Sequence, residues 1–345
     1  MFKSLRFGNF LSFAPDAPAV ELGPINLLIG PNGCGKSNFI TGIGLIRALA
    51  KNNQDDYLQK EGGASTFVHG FIKIGLIEIQ VGTNDSVHHI KYCAQLKIDR
   101  KLNYENQNIF FDGKNVDYSD IEDGFLLYNG LITTKNIAYI RIYKNRVFGR
   151  EMKPRWPQPA DLPNDFLSED YANLGLILSR IRQTPSAQRL VEWMQVFDPA
   201  VTDYNVLIVG GVCQIFLEEG DRVVPAGRLS DGALQYLCLL AVLCDPEPPP
   251  LVCIEEPEIG LHPDVVARLG DLLREASTRT QIIVTTHSES LVDSFSDAPE
   301  CVIACEKRDG ATVMNRLDRE NLKEWLEKYS LGELWARGHI GANKW

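Results

Sequence analysis

"INLLIGPNGCGKSNFITGIG", residues 25–44, is the stretch on which the fold turns. It fits G-x-x-x-x-G-K-[ST], with Gly30, Gly35, Lys36 and Ser37 in register. The glycines let the backbone curl so that several N–H groups point at one phosphate. Lys36 adds a point charge for the β- and γ-phosphates, and the Ser37 hydroxyl is placed for Mg2+. Both flanks agree with this reading. "INLLIG" (25–30) is a short apolar strand, and Phe39, Ile40, Ile43, Ile46 and Ala50 recur at helical spacing after the lysine. That helix would aim its N-terminus at the phosphates. A bare glycine turn would leave Lys36 unexplained.

Two further apolar strands end in chemistry. "PPPLVCIEEPE" (248–258) runs into Glu255 and Glu256, and its prolines keep the approach out of a helix. Beside the phosphate-loop strand it would deliver Glu255 to Mg2+ and turn Glu256 toward the γ-phosphate, where a base is needed. "QIIVTTHSESLV" (281–292) repeats the design with His287. A lone histidine is usually structural, but this one sits just past a core strand, at the sheet end where ligands bind in open α/β sheets. Between these lies "GRLSDGALQYLCLLAVL" (227–243). Leu234–Leu243 is apolar on nearly all faces and is expected to be buried. Ser230 reads as the N-cap of that helix, and a helix start favours anions. The segment is either a capped core helix or a second phosphate site supplied by another subunit.

The chain has 345 residues, a formal net charge of −10 and eight cysteines. The charge argues against a general nucleic-acid coat. Residues 141–155, "RIYKNRVFGREMKPR", gather Arg141, Lys144, Arg146, Arg150, Lys153 and Arg155, either as a solvated loop face or as a surface for a polyanion or acidic partner. The cysteines sit in apolar runs without zinc-type spacing, which predicts buried free thiols in a reducing cytosol. No apolar run reaches the roughly 18 residues of a membrane span, and the start lacks a signal-peptide core. A cytoplasmic protein is expected.

"LSDGALQ" resembles the signature loop of ABC-type ATPases, a variant of L-S-G-G-Q. The order phosphate loop, signature, E-E-P-E and strand-His is similar to that superfamily. The start "LRFGNFLSF" resembles RecF- and SMC-type ATPases, and "IEEPEIGLHP" with "LGELWARGHIGANKW" resembles short bacterial AAA-family ATPases related to the ATPase part of OLD nucleases, often encoded in anti-phage loci. The resemblance implies an α/β ABC-ATPase head. A P-loop core sheet (1–60 and 245–345), an antiparallel β-lobe (61–150) and a small helical signature lobe (151–244) would form one ATPase domain. No sustained heptads occur, so no coiled-coil arm is expected.

The resemblance also implies a head-to-tail homodimer, or higher even oligomer, around ATP. Asn32, Gly33, Gly35, Lys36, Ser37 and Asn38 would bind ATP, and Ser37 and Glu255 would bind Mg2+. Glu256 would polarise the water and His287 would sense the γ-phosphate, while Ser230 and Gly232 would reach the γ-phosphate of the other subunit's ATP. Gln158 is the candidate for a glutamine loop. Glu255 departs from the aspartate of transporter-type members, and Asp231 replaces the first signature glycine. A carboxylate beside phosphate is unfavourable unless it faces away, which predicts slow ATP hydrolysis. The leading expectation is an ATPase switch for a nuclease or toxin effector, in anti-phage defence. The stretch after His287 is too short for the nuclease domain of OLD proteins, so catalysis on nucleic acid would come from another chain. The alternative is a RecF-like DNA-binding repair ATPase.

Overall fold

A computed structural model describes residues 2–51, 53–67, 74–82, 89–98, 102–111, 114–116, 136–144 and 149–342. The chain forms two compact units, Met1–Ile140 with Ile283–Trp345, and Arg141–Ile282.

The first unit contains an antiparallel sheet ordered β2-β1-β4-β5-β6-β7. Its strands are β1 (Phe2–Gly8), β2 (Val20–Glu21), β4 (Ile74–Gly82), β5 (His89–Ile98), β6 (Leu102–Phe111) and β7 (Lys114–Val116). The expected antiparallel lobe is therefore present, but it recruits β1 and β2, which were expected in the P-loop core. Alternation along "FKSLRFG" marks a strand without naming its partner. The pairing with β4 (Leu5 opposite Ile79) is long-range. The unit also holds β3 (Ile25–Ile29), the phosphate-loop strand, buried at all five residues. It pairs in parallel with β15 (Val302–Arg308), which pairs antiparallel with β16 (Ala311–Arg316). The Thr286 amide donates to Leu28 O at 3.1 Å, which sets the end of β14 (Gln281–Thr285) beside β3.

The helix Lys36–Ala50 follows the loop as expected, with Phe39, Ile40, Ile43 and Ile46 buried. Four phenylalanines fix it to the unit. The Phe7 ring lies 5.4 Å from Phe10, 5.7 Å from Phe13 and 5.4 Å, edge-on, from Phe39. Such pairs contribute beyond their area burial, by about 0.5–1.5 kcal/mol each. Helical glycine 42 admits this cluster, because a Cβ there would stand 2.5 Å from the Phe7 ring. The helices Arg319–Leu326 and Leu331–Ala336 close the unit, the second through a capping box of Ser330 and Glu333.

The second unit pairs β8 (Arg141–Lys144) in parallel with β13 (Leu251–Glu255). Residues 141–144 were expected in the antiparallel lobe. Parallel pairing depends on a tertiary partner more than 100 residues away, which local alternation does not reveal. A meander of β10 (Val201–Val209), β11 (Val212–Glu219) and β12 (Arg222–Pro225) follows, with β9 (Gln158–Pro159) on β11. The helices are Leu174–Arg182, Ser186–Phe197, Asp231–Leu243 and Pro263–Ser277. The helix Asp231–Leu243 is buried from Ala233 onward, on every face, as its composition predicted. No described helix exceeds 15 residues, and none is long and apolar enough to cross a membrane. Cys34, Cys213, Cys238, Cys244, Cys253, Cys301 and Cys305 are free thiols, and all of these but Cys301 are buried.

Two ion pairs tie this unit's elements together. Arg182 grips Asp203 at 2.6 and 2.7 Å, and Arg189 grips Glu275 at 2.6 and 3.1 Å. Hydrogen bonds from each guanidinium hold the two carboxyls below their ordinary range. A depressed folded value stabilises the protein above the unfolded value of about 4 and is lost as pH falls through the folded value. Glu275→Gln is expected to flatten the acid limb of stability below about pH 4. Thermal melts against pH check this, and an unchanged acid limb contradicts it. Both carboxylates are about a third exposed, at 34% and 30%, so solvent screens the effect.

Candidate active site

The phosphate loop is shaped by glycines that no other residue could replace without movement. Gly30 has φ 145°, and a Cβ there would lie 2.2 Å from the Cys305 carbonyl oxygen. Gly35 has φ 113°, and a Cβ there would lie 2.1 Å from Thr312 Oγ1. Lys36 is buried at 6% exposure, and its ammonium donates to Gly30 O at 2.7 Å and Pro31 O at 3.1 Å. The loop thus curls around its own lysine. Asn32, Gly33 and Ser37 are exposed on it. Asn38, expected at the nucleotide, donates through Nδ2 to Ser12 Oγ at 2.7 Å.

A brace behind the loop has no counterpart among the expected site residues. Thr312 Oγ1 donates to Cys34 O at 2.7 Å and lies 2.6 Å from Ser12 Oγ. The Thr312 amide donates to Ser12 O at 2.7 Å. No local signal marks either residue, because they are 300 positions apart. A hydrogen bond from the Cys305 thiol, with help from the Lys36 ammonium, lowers the Cys34 thiol below its ordinary value against burial. His287 is half-buried in the same unit, one residue past Thr286, whose amide bonds to the phosphate-loop strand. Thr286 Oγ1 accepts from the Ser288 amide at 3.0 Å, and Ser288 caps the short helix Glu289–Asp293.

The second unit gathers the other expected residues. Glu255 ends β13 and is buried at 7% exposure. Glu256 follows with φ 51°, left-handed backbone in a residue with a Cβ. Such conformations cost of order 1–3 kcal/mol and collect at functional sites. The turn after it, closed by Ile259 N to Glu256 O at 3.2 Å, meets the signature segment. A Cβ on Gly232 would stand 2.5 Å from the Gly260 carbonyl oxygen. Gly232 is thus demanded by close packing against the loop that follows the glutamates. Ser230 is exposed, and its Oγ accepts from the Ala233 amide at 3.0 Å, the expected N-cap.

Gln158, the candidate for a glutamine loop, is engaged within the chain. It is 2% exposed, and its Oε1 accepts from the Gly175 amide at 2.7 Å while Nε2 lies 3.3 Å from Tyr171 O. Three described members of the basic cluster are likewise engaged within the chain. Lys153 pairs with Asp170 and Arg155 with Asp231, and the Arg141 guanidinium stacks 5.2 Å over the Phe166 ring. Arg146 lies outside the described residues.

Gln235, on the signature helix, is 5% exposed, and neither end of its carboxamide has a partner within the described chain. It lines a cavity of about 10 Å³ with Tyr143, Tyr171, Ile254 and Pro257. An unserved buried amide costs about 1–3 kcal/mol, so Gln235→Met is expected to raise stability by about 1 kcal/mol. Chemical denaturation checks this. A fall instead would show that a water in the cavity serves the amide, since that volume is about one water's.

Comparison with solved structures shows which fold this is. An SMC head bound to the C-winged helix domain of ScpA superposes with a TM-score of 0.64 at 16% identity, covering 94% of this chain and 99% of that one. The SMC head with an extended coiled coil from Pyrococcus furiosus gives 0.62 at 14%, covering 95% and 98%. The Thermotoga maritima SMC head gives 0.51 at 17%, covering 92% and 99%. The chain has the fold of an SMC head domain.

Residues 25–293 match the family described as "AAA domain, putative AbiEii toxin, Type IV TA system", and the chain belongs to that family. A comparison with curated proteins returns no match.

Proposed function

We propose that the chain is a slow ATPase that dimerises head-to-tail around ATP and so switches an effector protein. The phosphate loop binds ATP, with Lys36 turning from its own loop carbonyls to the β- and γ-phosphates. Ser37 and Glu255 hold Mg2+. Among the described residues no three His, Cys, Asp or Glu side chains group into a metal site, so the ion would depend on the nucleotide's own oxygens for the remaining ligands, as Mg2+ commonly does. Glu256 orients and deprotonates the attacking water, and His287 contacts the γ-phosphate. Ser230 and Gly232 receive the γ-phosphate of the ATP held by the other subunit.

The observation that carries the reading is the pairing, in one chain, of a Lys36 phosphate loop with an exposed Ser230-capped helix start. A phosphate held by both has differential affinity for the dimer, which is what a switch requires. The solved SMC head bound to a ScpA domain supports a protein as partner, and the family's description, which names a putative toxin of a type IV TA system, supports a toxin as the effector. A nuclease effector, a part in anti-phage defence and action in the cytoplasm rest on the sequence resemblance. The alternative, a DNA-binding repair ATPase, is weakened by the internal pairing of Lys153 and Arg155.

Light scattering of the wild type and Glu256→Gln, with and without ATP·Mg, tests the reading. A doubled mass that persists in Glu256→Gln and decays in the wild type is the expected result. Unchanged mass in both, despite bound ATP, would sink it.

A further inference from the structure

We propose that Arg155 is the positioning residue that makes an acidic signature segment able to receive a phosphate, an inference that rests on the dimer reading above. The segment's difficulty is Asp231. It stands where the signature of ABC-type ATPases carries glycine, next to the Ser230 and Gly232 that would meet the γ-phosphate. An unneutralised carboxylate there repels the anion it should bind.

The structure supplies the counter-charge from 76 residues away in sequence. The Arg155 side chain is 9% exposed and that of Asp231 is 42% exposed. The guanidinium forms an ion pair with Asp231 Oδ1 through Nη2. Its Nη1 donates to Leu229 O at 2.7 Å, and its Nε donates to Gly149 O at 2.8 Å. One planar group therefore holds both neighbours of Ser230, the carbonyl before it and the carboxylate after it. Arginine suits this because its donors form a rigid fork, where lysine offers a point charge. The loop that brings it is itself fixed, since Trp156 Nε1 donates to Arg150 O at 2.8 Å. Arg155 lines a cleft of about 520 Å³ with Gly149, Arg150, Trp156 and Gly227, while Ser230 and the Asp231 carboxylate are open to solvent beside it.

Two consequences follow from this geometry. The carboxylate is neutralised and drawn to the guanidinium, and Ser230 is presented at a helix start whose net local charge no longer opposes phosphate. Arg155 touches no nucleotide of its own phosphate loop in this scheme. Its loss acts on dimerisation and leaves ATP binding by the free subunit intact.

The test is a double-mutant cycle of Arg155→Ala, Asp231→Asn and the double variant, with Arg155→Lys beside them. ATP binding is read by nucleotide titration, ATP-driven dimerisation by light scattering, and folding by thermal melts. Arg155→Ala is expected to bind ATP as the wild type does and to need about tenfold or more protein to dimerise, because the unneutralised Asp231 carboxylate then faces the other subunit's phosphate, and juxtaposed like charges oppose association. Asp231→Asn is expected to dimerise at least as well as the wild type, and to restore most of the loss in the double variant. The coupling between the two substitutions isolates the charge pair from loss of packing, and the defect of Arg155→Ala should shrink as salt rises. Arg155→Lys should recover only part. Arg155→Ala that dimerises normally, or a defect that Asp231→Asn does not relieve, overturns the inference alone. A wild type whose mass ignores ATP overturns both the dimer reading and this inference with it.

Discussion

Lys36→Ala is expected to lose ATP binding, by about 100-fold or more, which is about 2.7 kcal/mol. The ammonium sits 2.7 Å from Gly30 O and is nearly buried within the loop, so it stands where phosphate charge must be balanced. Nothing else described in the loop carries a positive side chain. The ammonium also holds two of the loop's carbonyls, so the variant should lose some stability as well. Thermal melts without nucleotide separate that loss from the binding defect. Titration with a fluorescent ATP analogue reads the affinity, and a folded Lys36→Ala variant that binds as tightly as wild type contradicts the assignment of the loop.

Glu256→Gln is expected to keep ATP binding and to lower the hydrolysis rate by about 10²–10⁴-fold, the usual worth of a general base. The two side chains share one shape, so the left-handed backbone at this position, φ 51°, is unchanged. The loss then reports proton transfer and not refolding of the turn. Phosphate release under saturating ATP measures it. A Glu256→Gln variant with the wild-type rate would move the base elsewhere, and Glu255, at the buried strand end, would be the next residue to test.

Much of this site is legible in the sequence because its parts are local. The strand Ile25–Ile29, the loop and the helix Lys36–Ala50 follow one another along the chain, and each has its own signature: an apolar run, a glycine pattern, a helical period. The apolar run of β13 and the uniformly apolar helix Asp231–Leu243 are readable for the same reason. Ser230 announces itself as a cap through residue type and place. What stays hidden is pairing across the chain. The partners of β1 and β8, the brace of Ser12 and Thr312, and the bond from Arg155 to Asp231 all join residues far apart in sequence, and residue type alone does not say which carboxylate a given arginine will meet. Gln158 shows the converse. A polar residue in a promising place is buried and fully engaged in packing β9 against the helix Leu174–Arg182.

The central claim is that each ATP is completed by two subunits, and complementation tests it most directly. Lys36→Ala removes the phosphate loop's charge and leaves the signature intact. Ser230→Arg blocks the signature and leaves the loop intact. Each alone is expected to be inactive. An equal mixture should recover hydrolysis, up to about half of the wild-type rate, because only the mixed dimer carries a complete site and it carries one of two. A mixture that forms mixed dimers yet hydrolyses no ATP would show that the phosphate loop and signature do not act across subunits.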